Sequence, residues 1–192
     1  VTPRGRYLLV DAGPRDAHFD AGRTRILPLL ERAGAAGLDV LYLSHAHQDH
    51  IGGAQAIRGA TEGGSVGEPA FRGADAGYLE LLSDVARSGA AWDAGRRGES
   101  LVIDSVHLDI LLPDTTWPGW GLDVNEGSLV LLVRYGGFRA LLAGDAGFAA
   151  ESLLAATGTI TSRGSVEKGS TTCDYDPLEK EFGHSLQSAI VS

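Results

Sequence analysis

Six residues, His45-Ala46-His47-Gln48-Asp49-His50, constrain this chain more than any other stretch. They follow Leu38–Leu43, an apolar run broken only by Asp39 that reads as a buried strand. They precede Ile51–Ile57, which reads as the start of a helix, with Gly52-Gly53 permitting close backbone approach. At the end of an extended segment, residues two apart point the same way, so His45 and His47 can hold one metal ion together. Asp49 and His50 come where the chain turns into the helix, so they project differently and can serve a second ion. Imidazole and carboxylate ligands suit Zn²⁺, Mn²⁺ or Fe. Two such ions about 3.5–4 Å apart can hold a hydroxide between them and clamp a phosphate or carbonyl oxygen. The bland alternative is a chance cluster in a solvated loop. Three His and one Asp in six residues, framed by strand and helix, weigh against it.

The chain around this segment has 192 residues, room for one domain or a large part of one. Hydrophobic residues make up 43% and charged residues 21%, which excludes disorder throughout. The longest apolar run, Ser128–Tyr135, is strand-sized, so no membrane segment is expected, and Val1–Arg4 running into a strand gives no expectation of a signal peptide. The sequence contains no Met and reads as a fragment or a processed form. Cys173 is the only cysteine, which excludes an intrachain disulfide and a cysteine zinc cluster. That usage fits the cytosol without excluding the cell exterior, so a stand-alone cytoplasmic domain and an extracytoplasmic portion of a membrane protein both stay open. The net charge of −9 makes the chain a poor default binder of phosphate backbones.

Tyr7–Val10 reads as a strand entering a turn at Asp11. Thr24–Ala33 has the helical spacing Ile26, Leu29, Leu30, Ala33, and Gly34 stops it. Ala60–Gly77 has no clear period and is expected to be loop with one short strand. Tyr78–Arg87 reads as a helix with Leu81, Leu82 and Val85 on one face. Leu101–Ile103 and Val106–Leu112 read as a strand pair closed by Pro113. Ser128–Tyr135 and Phe138–Ala143 read as a hairpin around Gly136-Gly137. Ala149–Ala156 is expected to form a short helix. From Thr159 the character changes: ten of the last 34 residues are hydrophobic, too few to build a core layer. The expected organisation is therefore one domain over 1–158 and a divergent, poorly packed tail over 159–192.

Asp145 ends the second strand of that hairpin, where a carboxylate could bridge two metals. A turn residue or a helix cap is the plainer reading of Gly-Asp taken alone. Asp11 also ends a strand, and its expected role is to orient a ligand imidazole or the metal-bound water. An Asx-type turn before Gly13 is compatible with that role. Asp49 and Asp11 are the expected catalytic carboxylates; His45, His47, Asp49, His50 and Asp145 are the expected metal ligands.

The motif resembles the HxHxDH signature of the metallo-β-lactamase-fold hydrolases. Leu8-Leu9-Val10-Asp11-Ala12-Gly13, Phe19-Asp20-Ala21-Gly22, Pro28-Leu29-Leu30 and Leu38-Asp39 lead to Ser44-His45 in the family's order. Asn125-Glu126-Gly127-Ser128-Leu129-Val130 and Leu141-Leu142-Ala143-Gly144-Asp145 follow, with Glu151 shortly after. Together these resemble the C-terminal domain of ComEC-type competence DNA-uptake proteins and their stand-alone relatives, over about Tyr7 to Leu154. The resemblance implies an α/β fold, a four-layer αβ/βα sandwich with a metal site at one edge, incomplete here at its C-terminal end. It implies two divalent ions, Zn or Mn, and hydrolysis of phosphodiester bonds in nucleic acid. A degenerate metal-binding domain with little turnover and a small ester or thioester hydrolase are the alternatives. The Asp49-His50 pair argues against the antibiotic-hydrolysing branch.

The pattern departs from the family after the Glu151 segment. A His-His-Gly-Ser type motif is expected there, and Thr157–Gly164 contains no His. A frameshifted or truncated gene end would explain that loss. His184 and His107 are the candidates to fill the vacancy, but His184 lies in unmatched flanks and His107 in a strand pattern. His18 reads as a solvated loop residue. Trp92, Trp117 and Trp120 invite a base-stacking reading, yet no basic stripe surrounds them, so loop packing is expected for all three.

Overall fold

The computed structural model describes residues 1–61, 64–71, 75–114, 116, 123–147, 155, 158 and 189–190. They fall into two compact units, Val1–Gly95 and Arg96–Ser192. No helix among the described residues is long and apolar enough to cross a membrane.

The first unit is built on a parallel sheet of four strands in the order β1 (Leu8–Val10), β2 (Val40–Tyr42), β3 (Ser65–Glu68), β4 (Ala91–Ala94). Leu9 pairs with Leu41, and Leu41 with Val66. Every residue of β2 is buried, as a central parallel strand requires, which is why its sequence is a continuous apolar run without alternation. Parallel strands need crossovers, and helices supply them here. A π-helical turn, Gly22–Ile26, leads without a break into α1 (Leu27–Arg32), which carries Pro28 as its second residue. The expected helix over 24–33 thus begins two residues early and is not uniform. After β2 come α2 (Gln48–Ile51) and α3 (Ala54–Ala60), separated by Gly52-Gly53. The break has a packing reason. A Cβ on Gly53 would run into the backbone of Ala12 and Gly22, so the π-helical turn can approach only at a glycine.

The helix α4 (Ala76–Ser88) shows its causes in sequence. Asp75 caps it, accepting from the N–H groups of Gly77 at 2.9 Å and Tyr78 at 3.2 Å. Tyr78, Leu81 and Val85 form its buried face, and Gly89 ends it with φ 67°. The expected short strand within 60–77 is β3. The strand β4 was not expected, and it corrects the reading of Trp92. That residue lies on β4 and is 43% exposed, so it does not pack a loop.

The second unit is an antiparallel sheet in the order β5 (Ser100–Ile103), β6 (Val106–Leu112), β7 (Val130–Tyr135), β8 (Phe138–Leu142), β9 (Ala189–Ile190). Asp104 and Ser105, both at positive φ, make the two-residue turn between β5 and β6. Leu108, Ile110 and Leu112 alternate into the core. Leu112 clusters there with Val130 and Leu141. On the other face, Asp109 accepts from Arg134 Nε at 2.5 Å and Nη2 at 3.0 Å, a two-pronged tie across β6 and β7. The expected helix over 149–156 falls outside the described residues except Ala155. Of the tail beyond 158, only Ala189 and Ile190 are described, pairing with Leu141 and Ala140.

Glu68, at the end of β3, is 3% exposed, and Tyr78 donates its hydroxyl to Glu68 Oε1 at 3.0 Å. Burial, and then the Glu68 charge, push the Tyr78 phenol well above its usual range. A raised folded-state value means stability that is fully present below the unfolded phenol's pKa of about 10 and lost as pH climbs past it. The urea midpoint of the wild type should therefore fall between about pH 9 and 11. Tyr78→Phe should start lower by about 1 kcal/mol and lack that component of the fall, a comparison two titrations can make.

Candidate metal centre

The carboxyl ends of β1 and β2 deliver the expected site residues of the first unit to one place. Parallel sheets present ligand sites beyond the carboxyl ends of their strands. Asp11 follows β1 immediately, and its N–H donates to the Tyr42 carbonyl at 2.8 Å. Ser44 and His45 follow β2, and the His47 carbonyl accepts the first N–H bonds of α2 from His50 and Ile51, both at 3.0 Å. The backbone carbonyl of His50 accepts from Ala12 N–H at 2.7 Å. The end of the hexapeptide is thus tied by a main-chain bond to the segment after β1.

Asp11 sits at φ 60°, a left-handed conformation that Asp tolerates better than most residues. There its two carboxylate oxygens are both engaged. Oδ1 accepts the Ser44 N–H at 2.7 Å. Oδ2 accepts the Ser44 hydroxyl at 2.9 Å and lies 2.8 Å from His50 Nδ1. A carboxylate only accepts, so Nδ1 of His50 carries the proton and its Nε2 offers a lone pair. Ser44 Oγ, having donated to Asp11, accepts from His45 Nδ1 at 3.0 Å. His45 is therefore held in the same tautomer.

With Nδ1 protonated, His45 Nε2 faces His47 Nδ1 at 3.0 Å. The ring centroids of His45 lie 4.7 Å from those of His47 and 4.1 Å from those of His50. His45 is 1% exposed, while His47 is open to solvent, so the cluster lies at a surface edge. Two imidazole nitrogens on one tetrahedral zinc, each about 2.05 Å from it, stand about 3.3 Å apart. The His45–His47 spacing is close to that, so this pair fits a divalent ion. Asp49 Oδ2 lies 3.8 Å from His50 Nε2, on a side chain that is 62% exposed.

The expected residues thus divide. Asp11, His45, His47 and His50 are brought together, with Asp49 at the edge. Asp145 is half-buried in the turn after β8, in the second unit. His107 lies on β6 opposite Arg134, which in turn faces Arg139 on β8. Leu142 is three residues further along β8, so His107 sits about 10 Å or more down the sheet from the Asp145 end. His18 is exposed in a loop held by Asp16, and His184 lies outside the described residues. Trp117 and Trp120 also lie outside them. The residue that sequence reading passed over is Ser44. Its signal was weak, since a serine at a strand exit is an ordinary turn residue.

The sequence profile of the metallo-β-lactamase superfamily matches residues 1–190, and the chain belongs to that family of metal-dependent hydrolases. Its α/β fold with two sheets is the metallo-β-lactamase fold. Among curated proteins, it is similar to ComE operon protein 3 of Bacillus subtilis, 31% identical over 159 residues, covering 74% of this chain and 19% of that protein. It is also similar to Competence protein ComA of Neisseria gonorrhoeae, 33% identical over 146 residues, 76% of this chain and 18% of that one. The chain therefore spans about a fifth of the length of these relatives. Among solved structures, a metallo-β-lactamase of Cronobacter sakazakii with a HARLDQ motif aligns with TM-score 0.52 at 19% identity, covering 77% of this chain and 54% of that one.

The Asp11 geometry makes a prediction independent of any metal. Asp11→Ala should leave three donors without their acceptor and cost about 1–3 kcal/mol in a urea titration. Asp11→Asn keeps an acceptor oxygen and a residue that tolerates positive φ, so it should cost less. Nitrogen-15 spectra of the imidazoles should report the Nδ1–H form of His50 in the wild type and a shift toward the Nε2–H form in Asp11→Ala.

Proposed function

We propose that this chain is a binuclear metallohydrolase acting on phosphodiester bonds, most directly those of nucleic acid. The observation that carries the reading is the oriented imidazole pair. His45 Nε2 and His47 Nδ1 stand 3.0 Å apart with His45 fixed through Ser44, a donor set suited to a divalent ion. His45, His47, Asp49 and His50, with Asp145 added on the sequence pattern, are the residues that would hold two divalent ions. Zinc or manganese, when bound, would polarise a phosphoryl oxygen and lower the pKa of a water. The chain's own groups do the positioning. Asp11 holds the proton on His50 Nδ1 and aims Nε2 outward, while Ser44 does the same for His45. The nucleic-acid assignment is supported by the curated relatives, which carry competence-protein names, and by the fit of paired ions to a phosphodiester.

The test offers bis-p-nitrophenyl phosphate, single-stranded DNA and a thioester to the 192-residue chain with added Mn²⁺ or Zn²⁺. The two phosphodiesters should turn over and the thioester should not; turnover of the thioester alone would overturn the reading. His47→Ala should lower metal content with the fold retained, since an exposed ligand contributes through the metal more than through packing, whereas His45→Ala should lower metal content and also cost stability, because His45 is buried. Asp145→Asn should reduce turnover more than Asp11→Asn, whose loss should be about 10–100-fold.

The two ion positions are unequally built, because His45 is buried and fixed while Asp49 is largely solvated. One equivalent of metal should therefore survive dialysis and the second should titrate weakly in calorimetry, with turnover rising well after the first equivalent. Two equally tight equivalents would mean that another side chain completes the second position.

A further inference from the structure

Wholly within the first unit, between the helical segment that follows His47 and α4, lies a cavity of about 240 Å³. Gln48 and Ile51 of α2, Gly52 of the break and Gln55 of α3 form one wall. Gly77, Glu80 and Leu81 of α4 form the opposite wall, and Arg15 and Asp16 close one side. Gln48 stands in the chain between His47 and Asp49, so one wall of this space includes a residue flanked on both sides by candidate ligands.

Two glycines keep the cavity's geometry. A Cβ on Gly77 would collide with the Gln48 amide, its Cδ at 2.9 Å. A Cβ on Gly52 would meet the Arg15 and Gln48 main chains. The two amides are also oriented. Gln48 Nε2 donates to Asp75 Oδ1 at 2.9 Å, which turns Oε1 into the acceptor it offers elsewhere. Arg15 Nη1 donates to Gln55 Oε1 at 2.5 Å, which leaves the Gln55 NH₂ as the donor. The cavity thus presents an amide acceptor, an amide donor, the Glu80 carboxylate and Asp16, whose Oδ1 already accepts from the His18 and Phe19 N–H groups, with Ile51 and Leu81 as buried apolar surface.

This lining excludes some occupants. It is smaller than the 300 Å³ or so at which drug-sized ligand sites begin, so it suits a single ring system. One guanidinium against the carboxylates of Asp16 and Glu80 gives a net negative wall, and Arg15 is already shared with Gln55 and, at 3.9 Å, with Asp20. A phosphate would be repelled. A planar group with N–H donors beside a ring acceptor is matched, because carboxylates and Gln Oε1 accept while the Gln55 NH₂ donates.

We propose that this cavity is a nucleobase subsite that holds an amino-bearing base, cytosine or adenine, of a nucleotide flanking the scissile phosphodiester. The identity of the occupant rests on the phosphodiesterase reading above. Thymine, whose Watson–Crick edge carries two carbonyl oxygens and one N–H, would set an oxygen against the carboxylates and be disfavoured.

The experiment titrates the metal-free 192-residue chain with dCMP, dAMP, dTMP and 2-deoxyribose 5-phosphate, following the side-chain amide signals of Gln48 and Gln55 by NMR. dCMP and dAMP should shift both amides and bind about tenfold more tightly than dTMP, the discrimination of one good bidentate contact. Gln55→Leu and Glu80→Gln should each lose that preference, with backbone spectra showing the fold kept. Equal response to 2-deoxyribose 5-phosphate, to dTMP, or in both variants would overturn the subsite. Bis-p-nitrophenyl phosphate has no nucleobase, so its turnover by the Mn²⁺-loaded wild type reads the phosphodiesterase proposal separately. Turnover without base binding sinks only the subsite, and base binding without turnover sinks only the assignment of the reaction.

Discussion

One carboxylate organises the histidine cluster. Asp11 accepts from the Ser44 N–H, the Ser44 hydroxyl and His50 Nδ1, at 2.7, 2.9 and 2.8 Å. These bonds join the end of β1 to the segment after β2, strands that are hydrogen-bonded neighbours. Neighbouring strands lie about 4.8 Å apart, a gap a short Asp side chain can span and a longer Glu would overshoot. The bonds also set which imidazole nitrogen carries a proton, so the same interaction that closes the local fold decides the direction of two lone pairs. Charge-assisted bonds of this kind are stronger than neutral ones, and here they are concentrated on one residue at positive φ. Strain at that position is sustained because the surrounding bonds over-determine it.

The arrangement follows from the parallel sheet. When strands run the same way, every strand exit on one edge releases a loop into the same region, and residues distant in sequence meet there. Asp11 and His45 occupy such exits, after β1 and β2, and Glu68 is the last residue of β3. The third exit has a different use. Glu68 is buried against the Tyr78 hydroxyl and the Phe71 N–H, so its carboxylate anchors α4 and the segment after β3. The anchored helix supplies Gly77 and Glu80 to the cavity beside the histidine segment. Core packing and site construction are therefore linked through one buried tyrosine–glutamate contact.

Much of this was legible from the residues. Strand β2 and the 106–112 strand stood out because one is continuously apolar and the other alternates, and the 130–142 hairpin because two glycines sit between apolar runs. The histidine segment stood out because no core needs three imidazoles in six residues. Strand β4 did not, because Ala-Trp-Asp-Ala is exposed on three of four residues and carries no pattern of burial. The π-helical start before α1 escaped because it answers to the close approach of Gly22 to Gly53, a tertiary constraint with no local periodicity. Ser44 escaped for a related reason. A hydroxyl that relays between a carboxylate and two imidazoles is identified only by where its partners are, and those partners come from 33 residues away as well as from the next one.

The acidity of the chain bears on how it could handle a polyanion. Proteins that grip nucleic acid through its backbone do so with lysine and arginine, and their affinity falls steeply with salt. A chain of net charge −9 has little capacity for that mode. On the proposed reading, the attraction is divided differently. Two divalent ions would add +4 at one point, enough to neutralise the phosphate being attacked and too local to hold a strand. Grip on the neighbouring nucleotide would then have to come from uncharged groups, and oriented amides beside carboxylates supply donors and acceptors without positive charge. Such a protein would bind a nucleic-acid strand much more tightly when loaded with metal, with weak dependence on salt and a preference set by base edges. That combination separates it from a cationic nuclease of the same fold, whose affinity would survive metal removal and collapse with added salt.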